Sequence, residues 1–198
     1  MKATLQRLIA AAAALTLSAF ASAGIGDVPA GEYKLEKTHA YLTFSYLHLG
    51  FSRPVVGFSD FDVSLNLDQS DVSASALSVA VNPASVDTGV PKFDDHLKSD
   101  DFFDVANHTD ISFKATSIEM TGESTLQITG DLTMKGITKP ITLDATINKA
   151  ANHPMRKTPT IGISASGQLK RSDWDLGRYA PNVGDDVSLN IQVELVKS

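Results

Sequence analysis

Phe61-Asp62-Val63-Ser64-Leu65-Asn66-Leu67-Asp68 alternates apolar and polar side chains without interruption. Only an extended backbone puts every second side chain on one face, so this stretch reads as a strand with one buried side and one wet side. Outward from it the same rhythm recurs in Leu77, Val79, Val81; in Ile111, Phe113, Ala115; in Leu126, Ile128, Gly130, Leu132, Met134; and in Ile141, Leu143, Ala145, Ile147. It continues through Ile161, Ile163, Ala165, Gly167, Leu169 and closes with Val187, Leu189, Ile191, Val193, Leu195. Upstream, Gly31 to Glu36 forms a short strand, and His39 to Leu49 a longer one with Leu42, Phe44, Tyr46 and His48 on one face. The period-two count is about eight or nine strands, which predicts an all-β, antiparallel barrel.

Turn chemistry divides the strands at Gly122 to Ser124, at Lys135-Gly136 before Thr138-Lys139-Pro140, and over Asn148 to Pro159. One region breaks the rhythm. Pro91 to Lys98 starts with a proline suited to a first helical position, carries acids early and ends on lysine, which predicts a short helix. Phe93 and Leu97, four apart, share its face, and Ser99 to Asp104 is expected to begin another helical turn. These one or two short helices would cap one mouth of the barrel.

The first 23 residues stand apart. Lys2 and Arg7 precede an apolar stretch from Leu8 to Phe20 and the small-residue site Ala21-Ser22-Ala23, which together describe a secretory signal peptide. Cleavage is expected after Ala23, leaving one domain over residues 24–198. Loss of the leader's two cations takes the formal charge from -6 to -8. Such acidity argues against nucleic acid and against electrostatic binding to an anionic membrane. No later apolar run approaches spanning length, so no integral membrane span is expected. The absence of cysteine rules out a disulfide framework, leaving burial and sheet hydrogen bonds to hold the fold.

Catalytic patterns are missing. His39, His48, His96, His108 and His153 are scattered with no His-Glu-x-x-His, and Gly162-Ile163-Ser164-Ala165-Ser166-Gly167 misses the Gly-x-Ser-x-Gly spacing while lying in a strand. The reading is a non-enzyme with no metal and no required cofactor. An eight-stranded barrel can be filled by its own side chains or hold one small ligand. Ala115, Gly130, Ala145, Ala165 and Gly167, small residues near the middles of four strands, point to open volume, while Phe44, Phe61 and Phe113 could fill it from opposite walls. Both alternatives stay open on this pattern.

The run Gly130-Asp131-Leu132-Thr133-Met134-Lys135-Gly136-Ile137-Thr138-Lys139-Pro140-Ile141-Thr142-Leu143 resembles the central signature of the YceI-like family of periplasmic, lipocalin-like, polyisoprenoid-binding proteins. The resemblance extends over His39, Phe44 and His48-Leu49-Gly50, over Asp95 to Ser99 with Asp101 to Asp104, over Arg171-Ser172-Asp173-Trp174, and over Val183 to Val187. It implies a lipocalin-like barrel with a deep apolar tunnel, periplasmic location, and a bound isoprenoid or other long-chain lipid, an isoprenoid quinone among them, held for storage, transport or protection. The alternatives are a lipid-modifying enzyme in the same tunnel and a packed-core interaction module. Whether two copies pair as a homodimer is left open.

Candidate ligand-binding residues are Leu42, Phe44, Tyr46, Phe58, Phe61, Phe93, Phe113, Ile128, Met134, Ile163 and Trp174 as walls, with Tyr46, His48, His96 and Arg171 as head-group contacts. The family usually has arginine where this chain has Phe93, which would extend the apolar mouth. A full tilted strand gives a tunnel on the order of 25 Å, room for about five isoprene units. Burial at about 0.8 kcal/mol per CH₂ makes affinity easy to reach, so discrimination must come from length and from one polar end.

Overall fold

A computed structural model describes Ile25 and residues 28–198. The expected signal peptide at 1–23 lies outside the described residues. Eleven strands, β1 (Gly31–Leu35), β2 (Tyr41–His48), β3 (Val55–Phe58), β4 (Phe61–Leu67), β5 (Ala76–Val81), β6 (Val86–Asp87), β7 (Ile111–Met120), β8 (Thr125–Met134), β9 (Ile137–Asn152), β10 (Pro159–Lys170) and β11 (Val183–Lys197), form one antiparallel sheet. The sheet closes where β11 pairs with β2 over Val183 to Gln192 and then with β1 over Leu195 to Lys197.

The pairings reduce these pieces to eight walls. β1 with β2, β3 with β4, and β5 with β6 are each one strand broken in the middle, because β2 pairs β3 where β1 pairs β4, and β3 pairs β6 where β4 pairs β5. Each wall neighbours the next in the chain, as in an up-and-down barrel. The breaks have local causes. Glu36 caps a 3-10 turn at Lys37–His39 by accepting from the Thr38 N–H, and Asn82 does the same for Ala84 at Pro83–Ser85. The alternation decides which way the sheet curls, since in β4 Phe61, Val63, Leu65 and Leu67 are buried while Asp62, Ser64 and Asn66 are exposed.

The helix α1 (Pro91–Lys98) lies where expected, with Leu97 buried. Asp94 replaces a side-chain cap: it accepts from the Thr88 N–H at 2.7 Å and hydroxyl at 2.6 Å, and these bonds hold its carboxyl below the usual aspartate range. Ser99 to Asp104 forms hydrogen-bonded turns on the Ser99 carbonyl instead of a second helix. Two turn expectations shrink. Lys135-Gly136 alone makes the β8–β9 turn, with φ of 47° and 72°, so β9 already contains Pro140, opposite Asp131. The proline is tolerated because pairing with β10 begins only at Leu143, leaving that side of β9 without a partner strand. Likewise Asn148 to Asn152 stay in β9, and the next turn is confined to 153–158, folded on His153 Nδ1, which accepts from Met155 and Arg156.

Among the described residues no helix is long and apolar enough to cross a membrane. The two barrel ends differ. Around β1 the interior is solid, with Tyr33, Leu195 and Ile161 at 0%, 0% and 1% exposure. The other end, under α1, is hollow.

Candidate functional site

A cavity of about 310 Å³ occupies the half of the barrel built from β2, β11 and the strands facing them. Its depth follows the registers. Leu42 lies beside Phe58 and Ile191 at the floor, Phe44 beside Leu189 above them, Tyr46 beside Val187 next, and His48 beside Val183 at the mouth. Val79, Val81, Ile111, Phe113, Leu132 and Leu143 supply the facing wall. Below the floor Tyr33, Leu65 and Leu195 close the bore, so the cavity is blind at the β1 end and lies under the cap.

The wall is aromatic where the cap meets the barrel. The Phe103 ring stands edge-on to Phe58 and Phe44 at 5.5 and 6.4 Å, and Phe44 lies 5.7 Å from Phe58. Phe93 and Leu97 project from α1 into the same space. At the rim, the His96 ring sits edge-on to Phe102 at 5.1 Å and 6.2 Å from Tyr179. Arg178 ties the two sides of the mouth together, with a guanidinium nitrogen 2.8 Å from Asp101 and its plane 5.1 Å from the Tyr179 ring centre.

Polar groups in the wall are few. Tyr46 is buried, which pushes its phenol upward while nearby Arg171 opposes the shift. Arg171 is the one basic side chain in the wall other than histidine, and four of its five N–H groups are engaged by backbone carbonyls. They donate to the carbonyls of Gly184, Arg178 and Val183 at 2.9 Å each and to that of Leu176. Burial pushes the guanidinium downward from its ordinary value. Arg171 therefore pins the segment after β10 over the mouth. One N–H of the guanidinium is left without a protein acceptor.

Ten of the fourteen expected residues line the cavity: Leu42, Phe44, Tyr46, His48, Phe58, Phe93, His96, Phe113, Met134 and Arg171. Four lie elsewhere. Phe61 is buried in β4 opposite Val81, beside the lining but not part of it. Ile128, opposite Leu143, and Ile163, opposite Val193 and next to a register shift in β10, are not in the lining. Trp174 plugs the seam where β9 lacks β10, its indole N–H donating to the Leu132 carbonyl at 3.1 Å. The two mid-strand glycines do not make the space either. A Cβ at Gly130 would come within 2.5 Å of the Phe113 ring, and one at Gly167 within 2.6 Å of Leu143, so these positions accept neighbouring large side chains.

Several wall residues had only a partial signal. Val79, Val81, Ile111, Leu132, Leu143, Leu169, Leu189 and Ile191 were legible as inward-facing, but alternation does not say which half of a strand faces a void. Phe103, Leu176 and Tyr179 lie in irregular segments without periodicity.

Among the described residues, one set of metal-type ligands lies outside the cavity. Glu36, His39 and Glu194 bring ligand atoms within 4.8 Å of one another at the β1–β2 break. Glu36 already accepts from Thr38 at 2.7 Å and contacts His39 Nδ1 at 2.6 Å and Arg156 at 3.4 Å. A cation would have to displace those partners.

The sequence pattern of the YceI-like domain matches residues 33–195. The chain belongs to the YceI-like family. The protein YceI of Escherichia coli O157:H7 is 35% identical over 174 residues, covering 87% of this chain and 90% of that one. A crystal structure of Campylobacter jejuni YceI superposes with a TM-score of 0.70 at 32% identity, covering 76% of this chain and 89% of that one. A structure described as a polyisoprenoid binding domain from Saccharophagus degradans, implicated in plant cell wall breakdown, shares the fold, with a TM-score of 0.62 at 15% identity over 84% and 98% of the two chains. As in those YceI relatives, the YceI-like barrel here is a closed antiparallel sheet with few helices.

Proposed function

We propose that this YceI-like protein is an exported, periplasmic carrier that holds an isoprenoid or related long-chain amphiphile with an uncharged head, and that it is not an enzyme. The observation that carries this reading is the blind, greasy cavity open at one end, whose volume lies at the low end of the range that ligand pockets occupy. A chain enters tail first and its head stays near His48, His96 and Tyr46. No lysine lines the wall and Arg171 has four of its five N–H groups on backbone carbonyls, so a diphosphate or carboxylate head would be poorly paired on leaving water. Prenols, quinones and amides meet no such penalty. The polyisoprenoid-binding neighbour and the leader at 1–23 support the ligand class and the export.

Mass spectrometry of organic extracts from the purified protein, together with titration of decylubiquinone and farnesol, tests it. Leu189→Trp, which fills the cavity, is expected to lower probe binding by about tenfold or more without lowering the melting temperature. If no long-chain compound co-purifies and neither probe binds, the carrier reading is lost.

A further inference from the structure

The mouth of the cavity runs outward into the β2–β3 hairpin. His48 ends β2 in the cavity wall, and residues 49–54 project beyond it. There Phe51 is 89% exposed, Val55 64%, Leu49 50% and Leu47 38%. Single exposed apolar residues need no explanation, but four large ones within one hairpin do. The tip is held in shape: the His48 N–H donates to the Ser52 carbonyl at 2.8 Å and the Phe51 N–H to the His48 carbonyl at 2.9 Å. Leu49 sits at φ 51°, a conformation that favours glycine or asparagine, so the leucine is kept at a backbone cost.

Charge points the same way. None of the chain's 23 acidic residues falls between Lys37 and Ser59, and Arg53 lies within the tip. On a chain of net charge -6, this is a face that a phosphate layer does not repel. The cap across the mouth carries Asp100, Asp101 and Asp104, which sets the orientation with the hairpin edge toward the layer.

We propose that the β2–β3 hairpin docks on a phospholipid bilayer, with Phe51 and Leu49 entering the head-group region and Arg53 meeting phosphate, so that the cavity opens against the lipid from which its cargo comes. The purpose assigned to docking rests on the carrier reading. The docking itself is measured separately.

Sedimentation with large vesicles of phosphatidylethanolamine and phosphatidylglycerol tests the hairpin in the whole protein. Leu49→Ser with Phe51→Ser is expected to weaken vesicle binding by about tenfold or more, given the apolar area removed. Met155→Ser, 82% exposed in the turn at the opposite barrel end, is expected to change it less than about twofold. Phe51→Trp is expected to shift indole emission to the blue when vesicles are added. Equal binding by the double variant, equal loss in Met155→Ser, or no vesicle binding overturns the proposal. So does a wild type that self-associates through the hairpin while ignoring vesicles, because the occupant is then a second copy or another protein. Decylubiquinone titration without vesicles separates the two readings. Retained quinone binding with no vesicle binding removes only the docking, and vesicle binding without quinone binding removes only the cargo.

Discussion

At Glu36 the carboxyl is held down to about 2, first by the Thr38 hydroxyl, then by His39, with Arg156 adding charge. A group whose folded value lies below its ordinary 4.5 stabilises the fold at higher pH and loses that contribution as pH falls from 4.5 through about 2. Glu36→Gln is therefore expected to melt below the wild type at neutral pH, with the gap narrowing as pH falls from 4.5 to about 2. Thermal melts across that range check it, and parallel curves would refute the assignment. The same residue separates β1 from β2, so one side chain sets both an acid-sensitive contact and a bend in the barrel wall. None of this was visible in the sequence. Glu36 and His39 can be seen three apart, but Glu194 and Arg156 arrive only through the barrel's closure.

Among the elements, the segment between β10 and β11 depends on Arg171. Replacing it by methionine strands four backbone carbonyls around a buried site, and a loss of about 3 kcal/mol or more is expected. Arg171→Lys recovers part of that, since one ammonium cannot reach four carbonyls arranged around a planar fork. Urea midpoints measure the loss, and faster amide exchange over residues 176–184 locates it. The strands themselves were legible because period-two patterning is the direct imprint of a two-faced sheet, as β4 shows residue by residue. The short pieces β3 and β6 were missed. Four residues, or two, give the alternation too little length to register, and both are the far ends of strands interrupted at 59–60 and at 82–85. Pro140 misled for a related reason: a proline reads as a breaker unless the missing partner strand is known.

For the molecule as a whole, a barrel was legible and the placement of its void was not. Small residues at mid-strand suggested room at the centre, but Phe113 over Gly130 and Leu143 against Gly167 use that room, and the void lies toward the cap. Tyr33 and Leu195 shorten the bore. From Leu42 to His48 the cavity wall runs about 20 Å along a tilted strand, or about 15 Å of depth, which seats about three isoprene units where a full-length tunnel would seat five. Affinity for prenols is accordingly expected to climb from two to about three or four units and then level off. Competition titration across a prenol series measures this. A climb continuing to eight units would mean that the solid half opens. YceI-like relatives with a smaller residue at the Tyr33 position would be expected to take longer chains.

The dead end at Tyr33 also fixes the order of travel. On the carrier reading proposed above, a guest would not be threaded from one side of the barrel to the other; it would back out through the doorway it used, head leading and tail trailing. Whatever took delivery would then meet the polar tip before any of the hydrocarbon, and both pick-up and hand-over would happen beneath the same cap.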